Sequence, residues 1–87
     1  MAYPIYKLYN LNGDFVTEVN SIPDNFTGIA NHMNGSKSWW NKGKIHRLDG
    51  PAIEYFDGRK YWHVDDKRVT ELQHNLLYDI MKLKGLL

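Results

Sequence analysis

Along most of this chain, apolar and polar residues alternate in short runs that end at Asn-Gly or Asp-Gly, and near the C-terminus the period lengthens to that of a helix. The runs "IYKLYN" and "DFVTEV" flank Asn12-Gly13, and similar stretches flank Asn34-Gly35 and Asp57-Gly58. Both dipeptides tolerate the positive φ angles of a two-residue type I′ turn, so each predicts a β-hairpin. With turns of that length, Ala30 faces Trp39 and Ile53 faces Trp62. Alternation then gathers Ile53, Tyr55, Trp62 and Val64 on a buried face and turns Glu54, Arg59 and His63 the other way. The stretch around Ile22-Pro23-Asp24 reads as a connector, because Pro23 restricts its neighbour and withholds a ladder donor.

From Thr70 onward Leu72, Leu76, Ile80, Leu83 and Leu87 recur at spacings of four, four, three and four, the stripe of an amphipathic helix. Thr70 and Gln73 have capping-box spacing, and Gly85 suits a C-terminal cap after Lys82 and Lys84. The stripe is expected to close the open face of the sheet; the alternative reading is that part of the helix, Leu77, Tyr78 and Met81 on the flank, contacts a partner. The predicted fold class is α+β: an antiparallel sheet of two or three hairpins with one C-terminal amphipathic helix packed on it. A single domain over 1–87 is expected, with a hairpin at 1–20, two hairpin units over 26–68 and the helix at 70–85.

The two units emerge when the chain is slid along itself by 23 residues. Asn34-Gly35 falls on Asp57-Gly58, Lys37 on Lys60, Trp39 on Trp62 and Lys44 on Lys67. Composition narrows the chemistry: the chain has 87 residues, 43% apolar and 14% aromatic, with no cysteine and a formal charge of +1. Large rings therefore carry much of the packing, and disulfides, cysteine-zinc sites and thiol nucleophiles are excluded. No apolar run approaches the roughly 18 residues of a membrane span and no charged-then-apolar leader opens the chain, so a cytoplasmic location is expected. Asn25-Phe26-Thr27 matches the glycosylation acceptor pattern, which means little without a secretory leader. Between Ser36 and Arg68 the lysines and arginines outnumber the carboxylates only mildly, far short of the bias of a duplex-binding domain.

The densest chemistry is "KGKIHRLDGPAIEYFDGRKYW", where His46, Arg47 and Asp49 precede Gly50-Pro51. As a turn between units, Asp49 caps backbone N–H groups, Gly50 supplies freedom and Pro51 opens the next strand, with Arg47 pairing Asp49 and His46 bonding a carbonyl. As an enzyme, His46 would be a base oriented by Asp49, with Arg47 as an anion clamp. Ser36 and Ser38 lack a nucleophile elbow, and His32, His46, His63 and His74 lack metal spacing, so neither an enzyme, a cofactor nor a metal is expected. Binding is the better expectation. Trp40, adjacent to core-facing Trp39, must point to the opposite face, where it either meets the helix or joins Tyr61, Lys42, Lys44, His46, Arg47 and Arg59 as a contact surface. The same rings and cations would also suit a nucleotide or single-stranded nucleic acid.

Residues 39–62 resemble the W-x-x-x-G-K-x-H-R-x-D-G-P-A-x-x-x-x-x-G-x-K-x-W repeats of small tailed-bacteriophage proteins, similar in length and hairpin content to MORN repeats. The resemblance covers about half the chain, from near Asn25 to near Arg68. It implies a small phage-encoded module, acting in the host cytoplasm, that binds and inhibits or redirects a host protein such as a defence factor. The second unit departs from the pattern, with Asp65-Asp66 at the Lys-Gly turn and Val69-Thr70 in place of His-Arg, which marks it as the terminal unit. Open sheet edges additionally permit a homodimer.

Overall fold

The computed structural model describes residues 6–86. Residues 1–5 of the expected first hairpin, and Leu87 of the helix stripe, lie outside them. The protein is an α+β fold, an antiparallel sheet followed by one helix. In chain order the elements are β1 (Tyr6–Tyr9), β2 (Phe15–Val19), β3 (Gly28–His32), β4 (Lys37–Asn41), β5 (Lys44–Ile45), β6 (Ile53–Glu54), β7 (Lys60–Val64), β8 (Lys67–Val69) and α1 (Glu71–Leu83). The sheet runs β2-β1-β3-β4-β6-β7-β8, with β5 paired to β4. Its extents of 49 × 25 × 20 Å describe a ribbon rather than a ball.

The hairpins β1/β2, β3/β4 and β6/β7 form where the glycine dipeptides predict them, but each loop is one residue longer. Their loops, Leu11-Asn12-Gly13, Met33-Asn34-Gly35 and Phe56-Asp57-Gly58, are closed by backbone bonds from Asn10 to Asp14, His32 to Ser36 and Tyr55 to Arg59. The final glycines take φ of 91°, 91° and 92°, the left-handed bulge position of a three-residue hairpin. Asn34 and Asp57 hold the geometry, their Oδ1 atoms accepting the N–H groups of Ser36 at 2.9 Å and Arg59 at 3.1 Å. The extra residue moves the register by one. Ala30 faces Ser38 rather than Trp39, and Ile53 faces Tyr61 rather than Trp62.

Because a one-residue slip turns side chains to the other face, Ile53 and Tyr55 lie on the side away from Trp62 and Val64. They share that side with Arg59, Tyr61 and His63, while Glu54 joins Trp62. Trp39 and Trp62 do keep a common face, both half-buried. The two-residue turns occur elsewhere, at Lys42-Gly43 and Asp65-Asp66, where all four residues have positive φ. The fully buried apolar side chains among the described residues are small in sum: Leu8, Ala30 and Ala52. Buried Ser38 and Ser36 are satisfied locally, Ser38 Oγ accepting Trp40 Nε1–H at 2.8 Å and Ser36 Oγ accepting the Phe56 N–H at 3.0 Å.

Helix α1 begins and ends as its sequence dictates. Thr70 Oγ1 accepts the Gln73 N–H while Gln73 Oε1 accepts the Thr70 N–H, completing the capping box. At the other end Gly85, at φ 71°, donates to Lys82 and Leu86 donates to Met81, a Schellman closure. Its orientation is the reverse of the expected one. His74 is buried and Leu77, Tyr78 and Met81 are half-buried against the body, whereas Leu72, Leu76, Ile80 and Leu83 are 70%, 54%, 48% and 87% exposed.

Candidate functional site

The His46–Pro51 segment is a corner whose polar groups are spent on holding it. Ile45 N–H donates to Asp66 Oδ1 at 2.6 Å and Asp66 N–H returns to the Ile45 carbonyl, tying the corner to the β7–β8 turn. His46 Nδ1 accepts the Asp65 N–H at 3.1 Å, so the ring serves a backbone donor rather than a carbonyl. Arg47 pairs with Asp49 at 2.8 Å as expected, and also reaches Glu54 and the Pro51 carbonyl, each at 3.2 Å. Its guanidinium lies 4.0 Å from the centre of the Trp39 ring. Gly50 is required beneath it, since a Cβ there would stand 2.9 Å from Arg47 Cζ. The Arg47 carbonyl in turn meets His74 Nε2 at 2.5 Å, which fixes α1 to the corner. His46 and Asp49 therefore face different partners, and the base–orienter pair does not assemble.

The residues expected to form one contact surface separate into two groups. Trp40, His46 and Arg47 border an open cleft of about 520 Å³ with Trp39, Leu48 and Tyr78, and Lys42 and Lys44 are exposed at the nearby β4–β5 turn. Arg59 and Tyr61 belong to a separate patch. There Tyr55 and Tyr61 meet edge to face at 5.5 Å, with Arg59 4.9 Å over Tyr55 and Arg68 4.1 Å over Tyr61. Tyr55, expected in the core, is exposed there, and Arg68 is a member that the sequence reading missed. Its signal was available in the β7–β8 turn, which sets Arg68 opposite His63 on the face of Tyr61. Nucleic-acid bases stack on free ring faces, and on this patch the faces already carry guanidinium groups.

Charge on the patch is tuned by its neighbours. The Arg59 backbone N–H, followed by its guanidinium, lowers the Asp57 carboxyl below the usual carboxylate range. His63 is lowered from 6.5, first by burial and then by the cation of Arg68, against a smaller opposing pull from Asp66, and burial likewise lowers His32. His63 Nδ1 is buried with no hydrogen-bond partner. A histidine held neutral in the fold stabilises it fully above the unfolded value of 6.5, and that stability is lost as pH falls through the depressed folded value. Urea midpoints measured from pH 7.5 to pH 5 should accordingly fall, and His63→Gln should flatten the decline; an unchanged slope would contradict the assignment.

A further surface feature is the outward stripe of α1, Leu72, Leu76, Ile80 and Leu83, bordered by Gln73, Asn75, Asp79 and Lys84. Among the described residues no helix is long and apolar enough to cross a membrane, and no cluster of three His, Asp or Glu side chains is placed to hold a metal. No protein-family model, curated protein or solved structure matches the chain.

Proposed function

We propose that the protein is a protein-interaction module that inserts the α1 stripe into an apolar groove of its partner. The observation that carries this reading is the direction of the helix: four large aliphatic side chains, in register along about 17 Å of helix at 1.5 Å per residue, face solvent while His74 faces the body. Contiguous exposed apolar surface of this kind marks contact sites on small proteins. Anchors recurring at intervals of three and four residues between polar borders suit helix-in-groove recognition. The resemblance of residues 39–62 to phage repeats directs the proposal toward a host protein that the module inhibits or redirects.

Since the stripe is exposed, Leu76→Glu and Leu83→Glu should leave the melting temperature within a few degrees of the parent. Their effect should fall on association. A benzophenone placed at Leu76 should crosslink one host protein reproducibly, and Leu83→Glu should remove that adduct. Crosslinking that survives Leu83→Glu would refute the stripe as the anchor, and a crosslinked dimer of this chain would replace a host partner with a second copy.

A further inference from the structure

The two units differ in how the outer edge of their second strand is covered. Strand β4 is covered along its outer edge by two segments: β5 pairs with Trp40 and Asn41, and β6 pairs with Lys37 and Ser38. Between them, Trp39 donates its N–H to the Ala52 carbonyl at 2.8 Å and accepts the His46 N–H at 2.9 Å. Strand β7, 23 residues on, has only the first of these coverings, because β8 pairs with Trp62, His63 and Val64 and the chain then turns into α1. Beyond β7 the sheet holds only β8, so Lys60 and Tyr61 have no strand beside them on that side. An open cleft of about 450 Å³ lies there, lined by Tyr61, Trp62, Arg68, Val69 and Glu71 among others.

We infer that this cleft accepts an extended, acidic peptide segment of a partner protein, added as an antiparallel strand against Lys60 and Tyr61. The first unit supplies the template for the occupant. Its slot is filled by Pro51-Ala52-Ile53-Glu54, in which Ala52 is wholly buried, Ile53 stands opposite Ser38 and Glu54 stands opposite Lys37. Transferred to the second slot, where Trp62 is already paired with Val69, the aliphatic residue faces Tyr61 and the acid faces Lys60. Arg68 adds a second cation on the rim, against a single lining carboxylate, Glu71. Main-chain bonds supply affinity in strand addition, and the alternating side chains supply selectivity. This site is separate from the α1 stripe and does not depend on it.

The test uses a fluorescent peptide with the sequence of residues 49–56, DGPAIEYF, titrated into the intact protein and read by anisotropy and amide chemical shifts. Saturable binding is expected, with shifts at Lys60–Trp62 and Arg68–Glu71. Lys60→Ala, or glutamine in place of the peptide's glutamate, should each weaken binding by about two- to fivefold. Methylating the backbone nitrogen of that glutamate should abolish it, and Leu76→Glu should leave it unchanged. Lys60 is exposed, so its alanine variant tests the site without unfolding it. Failure to saturate, undiminished binding of the N-methyl peptide, or shifts at Lys37–Trp39 from exchange into the first slot would each overturn the inference. So would tighter occupation of the cleft by a single-stranded oligonucleotide.

Discussion

Gly43→Ala is expected to unfold the protein at temperatures where Gly58→Ala leaves it intact. Both glycines have positive φ, 80° and 92°, so alanine at either meets left-handed strain of about 1–2 kcal/mol. Only Gly43 is also crowded. A Cβ there would come within 1.9 Å of the Asp24 carbonyl oxygen, whereas nothing lies within 4 Å of one at Gly58. Backbone atoms cannot swing aside as a side chain can, and the Gly43 N–H is also bonded to the Phe26 carbonyl at 2.9 Å. Forced displacement of the 23–27 connector adds about 1–3 kcal/mol of overpacking. At about 4–8 °C per kcal/mol for a domain of this size, the two variants should differ by about 4–24 °C in thermal melting. Equal melting temperatures would show that the connector yields freely.

Arg47→Ala should cost about 2–4 kcal/mol, the largest effect expected of any side-chain truncation in the corner. The side chain is mostly buried, and it joins Asp49, Glu54, the Pro51 carbonyl and the Trp39 ring in one place. Truncation strands the half-buried Glu54 carboxylate and opens space above Gly50. Arg47→Lys should recover less than half of the loss, because an ammonium cannot keep the planar contact with Trp39 while bridging two carboxylates. Urea unfolding followed by tryptophan emission measures both variants, and a native emission spectrum unchanged in Arg47→Ala would argue against the stacking on Trp39. The same geometry gives local structural contacts to His46, Arg47, Asp49, Gly50 and Ala52 of the His-Arg-x-Asp-Gly-Pro-Ala sequence. Arg47 selects Gly50 beneath it and Asp49 beside it, and Ala52 is the residue small enough to be enclosed under the next strand.

Much of the local structure was written in short signals. The helix boundaries followed from Thr70, Gln73 and Gly85, and the positions of the three hairpins followed from their glycines. Loop length did not follow. Asn-Gly and Asp-Gly serve a two-residue turn and the end of a three-residue loop equally well, since both need a residue at positive φ. That ambiguity of one residue exchanged the faces of Ile53, Tyr55 and Glu54 relative to Trp62. The expected binding surface was divided for another reason: Arg47 stacks on Trp39, on the face opposite Tyr61 and Arg59.

The helix was misdirected for a different reason. A periodic stripe shows which way a helix is apolar, but not what its neighbour requires. Here the neighbour offers the Arg47 carbonyl, and His74 supplies a ring nitrogen to it. Tyr78 follows His74 by four residues and lies along the same cleft. The side bearing His74 and Tyr78 therefore faces inward, and the stripe of Leu72, Leu76, Ile80 and Leu83 is left exposed.

A ribbon 49 Å long and 20 Å thick, with so few side chains wholly enclosed, has no centre through which its two ends communicate. Each strand is secured by the one beside it: exposed β2 at one border pairs with β1, while α1 at the other is fixed to the Arg47 corner. Loosening at the β2 border can thus stay local, so fraying of that strand leaves the helical end folded.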